Sequence, residues 1–151
     1  MVERYSLEEE QKVEKNYQHK TRPLLWPCFA IKFRSTCMKY AESLKKNYEF
    51  RTVYRKGKSL ANKYLVVYKY KNNKNTNSNR IGISVSKKVG NSVVRSRVTR
   101  LIRESYRLSE ENINHDGWDL VVIARSNANG ASYADISNSL INLLKQHNMY
   151  V

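Results

Sequence analysis

The sequence predicts an α+β domain in which a small mixed sheet of three to four strands packs with three helices. Three observations carry this. Residues 64–70 are aromatic and β-branched, and residues 119–125 centre on Leu120, Val121, Val122 and Ile123, so both have the length and composition of strands. Arg80-Ile-Gly-Ile-Ser-Val-Ser86 alternates strictly between apolar and small or polar residues. Three further segments repeat apolar residues at helical spacing, giving the order helix, strand, strand, helix, strand, helix. That order predicts helices covering one face of a small sheet.

The first helix starts at Asn47, a capping residue type, and carries Phe50, Val53 and Tyr54 at i, i+3 and i+4 before Gly57 ends it. In the next strand Leu65, Val67 and Lys69 take one face, while Tyr64, Val66, Tyr68 and Tyr70 take the other. Residues 71–79 contain five Asn and no apolar side chain, which predicts a solvated connection. On the alternating strand Ile81, Ile83 and Val85 face the core, and Arg80, Gly82, Ser84 and Ser86 face away. Asn91 or Ser92 caps a helix running to about Leu108. Ser132, with Asp135 three residues on, predicts a capping box ahead of Ile136, Leu140, Leu143 and Leu144.

The charge points to a polyanionic partner. The chain has 151 residues, 28 Lys and Arg against 13 Asp and Glu, a net charge of +15 and a pI near 9.9. Residues 1–37 hold seven basic and five acidic side chains, whereas residues 38–151 hold 21 and eight. The first block contains Glu8-Glu9-Glu10 and no sustained apolar period, so it reads as a poorly ordered extension with at most a short helix over Leu7 to Tyr17. Met38 opens a different kind of sequence, consistent with a start codon assigned too far upstream. No run of 18 apolar residues exists, which excludes a transmembrane helix. Leu24 to Phe33, broken by Pro27 and Lys32, makes a poor signal peptide, and Cys28 and Cys37 lack metal-ligand spacing.

Residues 80–107 carry eight basic side chains against the single Glu104. On a helical wheel Val94, Val98, Leu101, Ile102 and Ser105 fall on one side, and Arg95, Arg97, Arg100, Arg103 and Arg107 sweep the other. One carboxylate cannot neutralise five arginines, and guanidinium favours forked phosphate contacts. Lys87-Lys88-Val-Gly-Asn91 leads into this helix without the spacing of a nucleotide-binding loop.

The run from Gly82 through Lys87, Lys88, Asn91, Arg95, Arg97, Arg100 and Arg103 to Glu104 resembles the signature of the protein subunit of bacterial ribonuclease P. Lys46 to Gly57 resembles that family's first helix and Asp119 to Arg125 its last strand, so the likeness spans residues 38–148. It implies an αβββαβα-like order with a left-handed strand–helix–strand crossover through the arginine helix, against the usual preference. It also implies a cytoplasmic ribonucleoprotein that removes the 5′ leader from precursor tRNA. The RNA subunit carries the chemistry and requires Mg²⁺, and the protein itself binds no cofactor or metal, no DNA and no membrane. Carried onto this sequence, Lys87, Lys88, Asn91, Arg95, Arg97, Arg100 and Arg103 meet the RNA subunit. Phe50, Tyr54 and Tyr68 line the cleft for the single-stranded leader. The sequence departs from the family pattern at Ser96, where Asn is usual, and at Thr99, where Lys is frequent.

The residues are compatible with such a cleft. One face of strand 64–70 is aromatic, and rings that stack on unpaired bases contribute roughly 1–3 kcal/mol per base without demanding a sequence. Arg51, Lys56, Lys58 and Lys63 supply charge nearby. Protein-borne catalysis is disfavoured, because His19, His115 and His147 belong to no acid–base, metal or nucleophile motif. Two other classes fit the charge. A DNA-binding regulator would need a helix and tight turn before the arginine helix, where this chain has a strand; a ribosome-associated RNA-binding protein is compatible with the composition alone.

Overall fold

A computed structural model of the chain describes residues 38, 41–72 and 78–151, all within the unit Thr36–Val151. The expectations for residues 1–37, including the extension, its short helix and both cysteines, lie outside the described residues, as do positions 73–77 of the Asn-rich connection. Five strands form one mixed sheet: β1 (Ala41–Ser43), β2 (Lys58–Ala61), β3 (Leu65–Lys71), β4 (Asn79–Val85) and β5 (Trp118–Ala124). Their spatial order is β1-β4-β5-β3-β2. Among the described residues three α-helices accompany them: α1 (Asn47–Lys56), α2 (Ser92–Ser109) and α3 (Tyr133–Gln146).

The sheet thus has five strands rather than three or four. β1 and β2 have only three and four residues, too few to show a period, and they exist because neighbours pair with them. β2 is the second arm of a hairpin with β3, closed by Asn62, whose Oδ1 accepts from the Tyr64 and Leu65 N–H groups at 3.1 and 2.8 Å. β4 and β5 run parallel, β3 and β5 antiparallel, and α2 forms the crossover between β4 and β5.

The helices occupy both faces of the sheet, which corrects the expectation of one covered face. α2 and α3 pack on the face formed by Leu65, Val67, Ile81, Leu120 and Val122, giving a core that also buries Val98, Ile102, Tyr106, Ile136, Leu140, Leu143 and Leu144. α1 packs on the other face, where Leu44, Val53 and Val121 form a smaller cluster with Phe50, Tyr68, Tyr70 and Ile123 at its margin. A sequence period shows which side of a helix is apolar but not which side of the sheet receives it.

Local signals read from the sequence account for most boundaries. Ser132 Oγ accepts from the Asp135 N–H at 3.2 Å and Asp135 Oδ2 from the Ser132 N–H at 3.0 Å, so α3 has its capping box. Asn91 Oδ1 accepts from the Val94 N–H at 2.9 Å, starting α2 at Ser92. α1 differs by one position: Asn47 is its first residue and Lys46 its cap, while the Glu49 carboxylate accepts from the Lys45 and Lys46 N–H groups. Tyr64 lies outside β3 and packs against the main core instead of joining the aromatic face. His147 follows α3, buried, with Nε2 3.1 Å from the Val67 carbonyl. No helix among the described residues is long and apolar enough to cross a membrane.

Gly82 sets the height of α1 above β4. A Cβ built there would lie 2.5 and 2.6 Å from two atoms of the Phe50 ring and 3.2 Å from Leu44 Cδ1. Gly82→Ala is therefore expected to displace Phe50 and cost about 1–3 kcal/mol, as overpacking typically does. Urea denaturation measures the loss, and Phe50→Leu in the same background should recover part of it.

Candidate nucleic-acid interface

The helix α2 separates its two chemistries as the wheel requires. Val98, Ile102, Ser105 and Tyr106 are buried against the sheet, while Arg97, Arg100 and Arg103 are exposed. Lys87 and Lys88 are exposed on a short 3-10 turn, Lys87–Val89, whose third residue, Val89, is buried in the main core and anchors the turn. Gly90 follows with φ +155°, a conformation that side chains rarely adopt, and a Cβ there would press on Val94 at 3.0 Å.

Not every residue expected on the RNA-subunit side is equally free. Asn91 spends its side-chain oxygen on the α2 cap. Arg95 is half-buried, and its Nε has no hydrogen-bond partner among the described residues. Arg107, the last arginine of the arc, pairs with Glu104, donating from Nε at 2.9 Å, and this holds the Glu104 carboxyl below its ordinary pKa. Thr99 donates its hydroxyl to the Arg95 carbonyl at 2.9 Å, and Ser96 is exposed. Among the described residues no carboxylate comes within ion-pair distance of Lys87, Lys88, Arg95, Arg97, Arg100 or Arg103. Five of these six cations are exposed, Arg95 being the exception, so the ridge carries charge that folding has not consumed.

On the opposite face of the sheet Phe50, Tyr54 and Tyr68 come together. The Tyr54 and Tyr68 rings stand edge to face with centroids 5.2 Å apart, and Phe50 and Tyr54 lie 6.5 Å apart. Phe50 is half-buried over Gly82, whereas Tyr54 retains 38% of its surface. In register, Tyr68, Val121 and Gly82 form one row across β3, β5 and β4; Val121 and Gly82 are buried beneath α1, so the surface left open in the groove between α1 and the sheet is its aromatic wall.

An ionic strut missed in the sequence holds this groove. Arg80 projects from β4 toward α1, where Nη1 meets Glu49 Oε1 at 2.6 Å. Its Nη2 and Nε donate to the two Asp119 oxygens at 2.6 and 2.8 Å. Asn72 adds a 3.1 Å bond to Asp119 Oδ1. Burial alone would raise the Glu49 pKa, but hydrogen bonds from the Lys46 N–H, Arg80 and the Lys45 N–H hold it below the ordinary carboxylate value. Arg80, bonded to Asp119 and Glu49, has its pKa raised further. The parity of β4 already turned Arg80 away from the core; what it lacked was any sign that α1 covers that face and of which acids would meet it.

Comparison with known proteins identifies the family. The family model described as Ribonuclease P matches residues 38–148. The chain belongs to the ribonuclease P protein family. The ribonuclease P protein component of Clostridium novyi (strain NT) is 56% identical over 113 residues, covering 75% of this chain and 99% of that relative. A Staphylococcus aureus RNase P protein structure is 39% identical, with a TM-score of 0.66, over 72% of this chain and 97% of the other. The RNase P protein structure from Thermotoga maritima is 33% identical, with a TM-score of 0.63, over 70% and 96%. Both agree with the α+β architecture. Within this ribonuclease P protein, the arginine helix and the aromatic groove occupy opposite sides of one sheet.

Replacing Arg80 by Met would leave two acids facing each other across the base of the groove, with side chains 13% and 6% exposed. The expected loss is about 3–5 kcal/mol in denaturant unfolding at neutral pH. Because the folded Glu49 pKa is depressed, its contribution is present above the unfolded value near 4.3 and fades as pH falls through the folded one. The gap between variant and parent should therefore narrow below about pH 4. A gap that stays constant with pH would mean that Arg80 acts by packing alone.

Proposed function

We infer that this ribonuclease P protein binds two RNAs on two faces of its sheet: the catalytic RNA subunit on the α2 ridge, and the single-stranded 5′ leader of precursor tRNA between α1 and β3. The observation that carries this is the separation of an unpaired arginine and lysine ridge from an aromatic groove by the thickness of one sheet. The assembly is an endoribonuclease whose hydrolytic groups and Mg²⁺ belong to the RNA subunit. The protein raises substrate affinity and lowers the repulsion between two phosphate backbones. Residues 38–151 act as the RNA-binding domain, residues 1–37 are an appended segment, and the site of action is the cytoplasm. The β4–α2–β5 crossover takes the left-handed sense of the family.

On the ridge, Lys87, Lys88, Arg97, Arg100 and Arg103 contact phosphates, with half-buried Arg95 at the margin and Asn91, exposed at the helix cap, beside them. Arginine forks suit structured RNA, where pairs of phosphate oxygens present a fixed geometry. In the groove, Tyr54 and Tyr68 stack on unpaired leader bases, and Phe50 holds the wall in place against Gly82. Stacking tolerates any base, which suits leaders of differing sequence.

Reconstitution with a bacterial ribonuclease P RNA at low Mg²⁺ should restore 5′-leader release, and no stimulation would overturn the reading. Arg97→Ala with Arg100→Ala should weaken binding to the RNA subunit and reduce its log–log salt slope by roughly 1–2, the value for two lost phosphate contacts. Tyr68→Ala should weaken precursor tRNA binding by about tenfold, equivalent to one stacked base, while leaving mature tRNA unaffected. Equal losses for both substrates would remove the leader from the groove.

A further inference from the structure

At the sheet end opposite the Lys87–Val89 turn, lysines from β2, β3 and the end of α3 gather with little negative charge to answer them. Lys58 and Lys69 are direct partners across the β2–β3 hairpin, and Lys71 shares their face one pleat further on. Like charges placed directly opposite destabilise a strand pair. The Lys69 ammonium donates to the His147 carbonyl at 2.7 Å and lies 3.9 Å from the Trp118 ring centroid. Lys71 sits 4.6 Å from the same ring and donates to the Asp116 carbonyl. Lys145 lies 5.1 Å from the Tyr150 ring. Burial first, and then repulsion from Lys58 and Lys71, lower the Lys69 pKa; Asp116 works against them.

Edge protection explains part of this cluster. β2 is an edge strand, and a lysine there discourages pairing with another chain. It does not explain Lys69, which has β2 on one side and β5 on the other. Nor does it explain ammonium groups tethered to carbonyls and held over an indole. Such tethering reduces the side-chain entropy still to be lost when an anion arrives. An approaching phosphate would also relieve the mutual repulsion of Lys58, Lys69 and Lys71.

The cluster is one rung from Tyr68, on the other face of the same hairpin. Ser59 pairs with Tyr68, and the next rung of the same hairpin is Lys58 with Lys69. That rung is roughly 3.3 Å further along the strand, with side chains on the opposite face. Because β2 is the edge, a strand leaving Tyr68 reaches the lysines by passing around β2, with exposed Arg55 and Lys56 beside it at the end of α1. We propose that Lys58, Lys69, Lys71 and Lys145 bind the phosphates of the leader beyond the nucleotides held in the groove, so that the protein favours precursors with long leaders. The proposal rests on the leader-binding reading above.

The test uses holoenzyme reconstituted with a bacterial ribonuclease P RNA, and precursor tRNAs with a short leader of about four nucleotides and a long one of about twelve. Lys58→Gln with Lys71→Gln should weaken binding of the long-leader precursor about tenfold and lower its log–log salt slope by about 1.4, as two lost single-strand phosphate contacts would. Short-leader binding should change by less than about twofold, so the parent's preference for long leaders disappears. Lys58→Gln with Lys145→Gln leaves the Trp118 clamp intact and carries the same test if the first variant fails to fold. Equal losses for both leaders, no loss for either, or weakened binding to the RNA subunit alone would each overturn the proposal. Tyr68→Ala measured in parallel separates the two readings. If it weakens both precursors while the lysine variants weaken neither, only the lysine assignment fails; if it weakens neither, the groove reading fails first.

Discussion

The Arg80 guanidinium, held between Glu49 of α1 and Asp119 of β5, fixes the distance between a helix and a sheet whose apolar contact is small. Among the described residues the buried apolar cluster on that side is Leu44, Val53 and Val121, too little surface to dictate one orientation for a ten-residue helix. The ion bonds add direction to that contact. Glu49 serves twice, because its carboxylate also accepts from the N–H groups that start α1, so the helix begins where the strut holds it. Gly82 beneath Phe50 completes the constraint from below. With α1 held at this height, Tyr54 and Tyr68 meet edge to face and still keep surface for a ligand.

The opposite face follows a different economy of forces. There α2 and α3 bury a continuous apolar core, and α2 docks through it strongly enough to carry uncompensated charge outward. The one acid in the helix is engaged by Arg107, so the remaining arginines keep their full field. A sheet with a dry, tightly packed face and a shallower face under one short helix can therefore present a rigid cationic ridge and an accommodating aromatic groove. Neither surface interferes with the other, and each matches one kind of RNA: folded and rich in paired phosphates, or single-stranded with exposed bases.

Much of this was legible in the chain. The parity of residues 64–70 separated Leu65 and Val67 from Val66, Tyr68 and Tyr70, and the structure buries the first pair. The capping box at Ser132, the cap at Asn91 and the apolar side of α2 stand as their spacing implied. Phe50, Tyr54 and Tyr68 also converge as the family likeness implied. The misses share a cause. β1 and β2 are too short to carry a period, and α1 gives no sign of which sheet face it covers. Arg95 looked as available as Arg97 because a wheel does not show depth. Lys69, on a parity otherwise apolar, signalled that its strand end was not ordinary core, but Trp118, which explains its place, lies 49 residues away.

By itself, the sequence determined the local and additive properties: the excess of positive charge after Met38, the periods of three helices and three strands, their caps, and a signature run specific enough to indicate the family. These depend on neighbours a few residues apart, or on sums over the whole chain. Tertiary structure decided which cations stay unpaired, which face each helix covers, how the edge strand is recruited, and where Arg80 finds its acids. Those outcomes depend on groups distant in the chain meeting at hydrogen-bond distance, and ion pairing and burial are fixed only when the sheet is assembled. The net charge of +15 was visible from the start. Its division into an arginine ridge, a buried strut and a lysine cluster at the sheet end required the fold.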